Sequence, residues 1–190
     1  MKTSFAETHV CYAILRGKTG RNLFETEIRK KWILDTVAQQ KNISGCTILA
    51  YCVLDNEVDL ILCASDIRQI ESCLEKTMAR YLAEYPVCSG RREMWRKLQV
   101  TELENERRVF RYCIKIHLLP LVQQLADDPE DYWWCSYRDY LGKPGIALAE
   151  TKLLMTGIDV GKRAAVRSFR RSHREKIDRL CSTSIDTKRN

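Results

Sequence analysis

Two carboxylates, Glu57 and Asp59, interrupt an otherwise apolar stretch from Ala50 to Leu62, AYCVLDNEVDLIL. On an extended chain residues two apart leave the same face, so both acids would look into one space. Acids in such a setting need a cation between them or open water around them, because a buried carboxylate without a partner is costly. Two further groups carry chemistry of another kind. Arg16, Lys18 and Arg21 cluster after the first apolar run, and Arg91, Arg92, Arg96 and Lys97 surround Trp95. Basic side chains track phosphates while an indole can stack a base, a combination that holds single strands and hairpin tips. A core tryptophan flanked by solvated arginines would have the same sequence.

The third group is the segment 162–179, KRAAVRSFRRSHREKIDR. It sets Lys162, Arg163, Arg167, Arg170, Arg171, Arg174, Lys176 and Arg179 against only Glu175 and Asp178. Val166, Phe169 and His173 fall at helical spacing, so one face can pack while the other stays basic. That face is either a second nucleic-acid contact, led by Arg167, Arg170 and Arg171, or simply solvated. His9 and His117 have no partner at ligand spacing and read as structural residues.

The elements that must position these groups follow from periodicity. HVCYAILR (9–16) reads as a strand, and Glu25 to Lys41 as a helix with Ile28, Trp32, Ile33, Thr36 and Val37 on one stripe. Cys46 to Leu54 and Glu57 to Cys63 are two strands of a hairpin turning at Asp55-Asn56. A second helix spans 66–85, with Ile67, Ile70, Leu74 and Met78 inward, and a short strand follows Trp95. A third helix covers about 102–118 and is closed by Pro120. The order strand, helix, strand, strand, helix, strand, helix predicts a ferredoxin-like α+β domain. Its antiparallel sheet is expected to carry helices on one face, with the hairpin near the centre. Pro144-Gly145 divides the chain into a domain over 1–143 and a short basic helical extension over 144–190.

Composition sets outer bounds. The 190 residues are 45% hydrophobic and 30% charged, as in globular proteins, and the net charge of +7 is compatible with a polyanionic partner. No stretch approaches the ~20 apolar residues of a membrane span, and the N-terminal apolar run is too short for a secretory signal. The nine cysteines lack any CxxC pair and read as reduced core residues of a cytoplasmic protein.

Residues 9 to 142 resemble the single-tyrosine HUH transposases, in particular the REP-associated tyrosine transposases with their IS200-like domain. The features that carry the resemblance are HVCYAILRGKTGRNLF, AYCVLDNEVDLIL, REMWRKLQV, KIHLLP and DPEDYWWCSYRDYLG. The last is the most specific, with Asp128-Pro129-Glu130-Asp131-Tyr132, Trp134, Ser136-Tyr137 and Tyr140-Leu141-Gly142 in register. The resemblance implies a domain that grips single-stranded DNA, with two histidines of an Asn-His-X-His-Leu hairpin on a divalent metal. A tyrosine of a Tyr-Ile-X-X-Asn-Pro helix then attacks the scissile phosphate and forms a covalent link.

This sequence departs from that pattern at each catalytic position. The histidine positions hold Glu57 and Asp59, the tyrosine position holds Lys115, and the asparagine position holds Leu119. Carboxylate oxygens suit magnesium or manganese, so no cofactor is certain but either metal is admissible. Lys115 does not replace a tyrosine, since an amine attacking a phosphodiester would give a phosphoramidate. It can instead pair with Glu57 or Asp59. Tyr112, about 60° around the helix and about 4.5 Å along it, is the alternative nucleophile or else a packed tyrosine. The expectation is a transposase-like protein with a degenerate active site that binds single-stranded or hairpin DNA without cutting it. Two other readings stay open: a metal-dependent endonuclease or strand transferase using Glu57, Asp59 and Tyr112, and a scaffold repurposed for protein contacts. No membrane partner is expected, and a homodimer is an admissible assembly.

Overall fold

The computed structural model describes residues 8–18, 22–84, 95–156 and 162–186. Its centre is a four-stranded antiparallel sheet built from β1 (His9–Arg16), β2 (Thr47–Val53), β3 (Glu57–Ala64) and β4 (Gln99–Glu102), in the order β2-β3-β1-β4. Helix α1 (Glu27–Ser44) links β1 to β2, and α2 (Ile67–Glu84) leads from β3 toward β4. This is the expected α+β arrangement. β1 and β3 are the central strands, paired over their whole length from His9 opposite Ala64 to Arg16 opposite Glu57. The hairpin therefore contributes one central strand, while β2 lies at the edge.

Alternation along the strands divides the interior into two cores. Cys11, Ala13 and Leu15 on β1, with Val58, Leu60 and Leu62 on β3, pack under α1 and α2. Val10 and Tyr12, with Ile61 and Cys63, face the opposite side. A bulge in β2 after Ile48 restores its alternation with β3. The face of α1 that packs inward is Ile33, Leu34 and Val37, whereas Ile28 and Trp32 are exposed on its flank. Thr26 caps α1 by accepting from the Arg29 N–H at 3.3 Å, and Gly45 ends it with φ 69°, a left-handed conformation that favours glycine.

The second face corrects the expectation of helices on one side only. Helix α3 (Glu106–Val122) lies across it, burying Val109, Cys113, Ile116 and His117. The near-continuous apolar runs of β1, β2 and β3 are the signature of strands buried on both faces. Asn105 caps α3 by accepting from the Arg108 N–H at 3.0 Å. The helix runs through Pro120 to Val122 instead of stopping before it. Proline sits in the last turn, where its missing N–H removes a single bond and chain continuation is short.

The C-terminal extension is packed into this frame. After α4 (Tyr137–Leu141), Leu148 joins the first core. α5 (Lys152–Thr156) and α6 (Lys162–Asp186) follow, and their Leu154 and Phe169 join the second. Phe169 is 0% exposed and stacks on Tyr140 with ring centroids 4.7 Å apart. The free edge of β2 is covered by the chain itself. Val53 N–H donates to Trp134 C=O at 2.9 Å, Ser136 N–H to Tyr51 C=O at 3.0 Å, and Glu150 N–H to Ile48 C=O at 2.8 Å. Covering an edge removes a template for pairing with another chain. Seven cysteines among the described residues are buried and reduced, and no helix there is long and apolar enough to cross a membrane.

Candidate functional site

The register of β1 against β3 decides what the two acids meet. Arg16 lies opposite Glu57, Ile14 opposite Asp59 and Tyr12 opposite Ile61, so Tyr12, Arg16, Glu57 and Asp59 share one face. Glu57 is 8% exposed and Asp59 2%. The Arg16 guanidinium donates from Nε and Nη2 to Glu57 Oε2, and the Tyr12 hydroxyl donates to Asp59 Oδ1. Asp59 Oδ2 is buried without a hydrogen-bond partner. Burial pushes the Asp59 carboxyl up to about 6, an effect the Tyr12 hydrogen bond opposes, Glu57 reinforces, and Lys115 and Arg16 oppose. Burial and the neighbouring Asp59 push the Tyr12 phenol far above its ordinary range, so it remains a donor.

From α3, Lys115 and Tyr112 close over this cluster. Lys115 Nζ donates to Tyr12 Oη at 3.3 Å and lies 4.8 Å from the Tyr12 ring centroid and 5.4 Å from that of Tyr112. Tyr12 and Tyr112 pack with centroids 4.8 Å apart. Lys115 thus reaches Asp59 through the Tyr12 hydroxyl and forms no direct ion pair with either acid. Glu57 instead takes Arg16. Leu119, one turn further along α3, packs against the second core.

The donor set does not fit a magnesium or manganese ion. Both metals want several oxygen ligands, and here there are two carboxylates, each already receiving a protein donor. A dication would displace Arg16 and Tyr12 and would sit beside a second cation, Lys115. Among the described residues no group of three or more His, Cys, Asp or Glu side chains could hold a metal.

The basic clusters fall into distinct places. Gly17 pairs with Trp95, and the Arg96 N–H donates to Arg16 C=O at 2.8 Å, so the two basic loops meet at one end of β1. Lys18, Arg96 and Lys97 form an exposed rim there, whereas Arg16 is turned onto Glu57. Trp95 packs with Phe24 and Tyr81, centroids 5.8 and 5.9 Å away, and its Nε1 is buried. Its ring therefore belongs to the first core. Arg21, Arg91 and Arg92 lie outside the described residues. On α6, Arg167, Arg170 and Arg171 are exposed, with Arg170 3.5 Å from Glu130, while Phe169 and His173 face inward.

A polar chain that the sequence did not reveal joins α6 to the domain. His173 Nδ1 donates to Phe169 C=O at 2.8 Å, which leaves His173 Nε2 to accept from His117 Nδ1 at 3.1 Å. His117 Nε2 must then accept from the Ser136 hydroxyl at 2.8 Å, and Ser136 Oγ accepts from Tyr51 N–H at 3.0 Å. Burial holds His117 well below the usual histidine range and His173 down at about 4. Serine, histidine and a third orienting group usually suggest a nucleophile. Here His117 and Ser136 are 0% exposed, so the chain fastens three elements and meets no substrate. Only the fold brings residues 117, 136 and 173 together, so their spacing gave no signal.

No protein-family model and no curated protein matches the sequence. Among solved structures, a REP-associated tyrosine transposase bound to a REP hairpin superposes with a TM-score of 0.58 at 10% identity, over 80% of this chain and 88% of that one. The chain has the REP-associated tyrosine transposase fold. A protein assigned as a candidate transposase, from Deinococcus radiodurans R1, is similar at TM-score 0.45 and 16% identity, over 66% of this chain and 95% of that one. Within this fold, the acid pair of β3 and Lys115 of α3 meet in one cluster around Tyr12 and Arg16.

Proposed function

We propose that this protein is a transposase-like DNA-binding protein that recognises single-stranded or hairpin DNA and has lost the cleavage chemistry. The observation that carries this reading is the internal pairing of the acid cluster. Arg16 and Tyr12 supply to Glu57 and Asp59 what a metal would otherwise supply, and Lys115 is spent on Tyr12. A tyrosine nucleophile would need a phenolate in line with the scissile bond and a metal on the phosphate. Misplacement by about 1 Å can already cost on the order of a hundredfold in rate. Tyr112 packs against Tyr12 beneath Lys115, and among the described residues no metal ligand set stands beside it. The basic rim of Lys18, Arg96 and Lys97 supports contact with phosphates independently of that chemistry.

The test is incubation of the protein with single-stranded hairpin substrates and magnesium or manganese, followed by a denaturing gel. The wild type is expected to bind the hairpin and leave no covalent adduct. A Glu57→His, Asp59→His, Lys115→Tyr triple variant runs beside it as an attempted restoration. Adducts from the wild type would overturn the loss of chemistry, and failure to bind any hairpin at low salt would remove DNA from the account.

A further inference from the structure

Helices α3 and α6 enclose an open groove of about 780 Å³ whose lining runs along α3 from Arg108 to Val122, with Tyr112 and Lys115 midway. Its α3 wall centres on a helical stripe, positions 108, 111, 112, 115, 118, 119 and 122 at spacings of three and four, with Phe110 and Ile114 beside it. Arg108, Arg111 and Lys115 from α3 face Lys176 and Arg179 from α6, against a single acid, Glu175. The apolar lining that serves as its floor includes Tyr112 and Leu119, while Leu118 is only 2% exposed. Arg111 and Lys176 are exposed and have no hydrogen bond or ion pair among the described residues. Nothing among the described residues therefore needs their charge.

We propose that this groove is a path for a single-stranded nucleic acid segment, with Arg111 and Lys176 on its phosphates and a base against Tyr112. The inference rests on the DNA-binding reading and adds to it a surface separate from the rim at Lys18 and Lys97. Charge complementarity selects a polyanion, and the floor selects among polyanions. A duplex hides its base faces, so an aromatic and leucine floor gives it nothing. A single strand offers both phosphates and bases, which is the pairing that cationic grooves with aromatic platforms use.

The test compares the full-length wild type with an Arg111→Gln/Lys176→Gln variant, using fluorescence anisotropy at several salt concentrations. The probes are a blunt hairpin, the same hairpin with a single-stranded tail, and a short oligothymidine. Removing two phosphate contacts should weaken the tailed hairpin and the oligothymidine about tenfold and lower the log–log salt slope by about 1.4. Affinity for the blunt hairpin should not change. Equal affinity and slope for variant and wild type on every probe would overturn the groove while leaving DNA binding intact. A wild type that binds no probe would overturn both. Binding of an acidic amphipathic peptide, lost in the variant while oligothymidine binding is retained, would assign the groove to a protein partner and overturn the strand path. Far-UV circular dichroism checks that the variant folds, as the exposure of both residues leads us to expect.

Discussion

Replacing Asp59 by asparagine should change how stability depends on pH, and the sign follows from its surroundings. Asp59 is 2% exposed, its Oδ2 has no partner, and its carboxyl is held up at about 6 against an ordinary 3.8. The folded state therefore binds this proton more tightly than the unfolded chain does. Such a group contributes stability that is fully present below pH 3.8 and is lost as the pH rises through 6. A shift of about two units corresponds to roughly 3 kcal/mol in total, of which about 1.5 kcal/mol is lost between pH 5 and 8. Asparagine keeps an oxygen that can accept from Tyr12 and carries no charge, so it removes this dependence. Urea unfolding of Asp59→Asn and wild type, measured at steps from pH 5 to 8, isolates the effect as a difference curve because other titrating groups cancel. The variant should gain on the wild type by about 1.5 kcal/mol across that range, whatever its constant offset. Parallel curves, or a wild type that gains as the pH rises, would refute a buried acid held up by desolvation.

Two further outcomes test the attachment of α6. His173, held down at about 4 while the unfolded chain titrates at 6.5, contributes stability that is present above pH 6.5 and lost as the pH falls toward 4. The loss attributable to it is roughly 3 kcal/mol, and a His173→Phe variant should lack that acid sensitivity in thermal unfolding followed from pH 7 to 4. Phe169→Ala removes a fully buried ring stacked on Tyr140 and should cost about 3–5 kcal/mol in denaturant unfolding, whereas the nearby exposed Arg167→Ala should cost under about 0.5 kcal/mol.

Much of this architecture is local and therefore legible from the chain. The limits of β1 follow from HVCYAILR, and the turn at Asp55-Asn56 with an apolar run on either side fixes the hairpin. The spacing of Glu57 and Asp59 places both acids on one face because the period of a strand is two, whatever packs above it. The basic face of α6, opposite Phe169 and His173, follows from helical period alone. The resemblance over residues 9 to 142 is also carried by sequence, and it points to the fold that the superposition shows.

Partners across the sheet were not legible. Tyr12 looks like one more apolar strand residue until the antiparallel register sets it on the face of Asp59, and Arg16 looks like a phosphate contact until the same register sets it opposite Glu57. A one-residue slip would have turned both side chains away, and nothing in the local pattern excludes such a slip. Trp95 shows the same limit, since its neighbours are basic in sequence but Phe24 and Tyr81 in space. The His117–His173 contact spans 56 residues and exists only because α6 folds back onto α3. Periodicity determines which face a side chain takes; the docking of strands and helices determines what that face meets, and here it set Arg16, Tyr12 and Lys115 around the two acids.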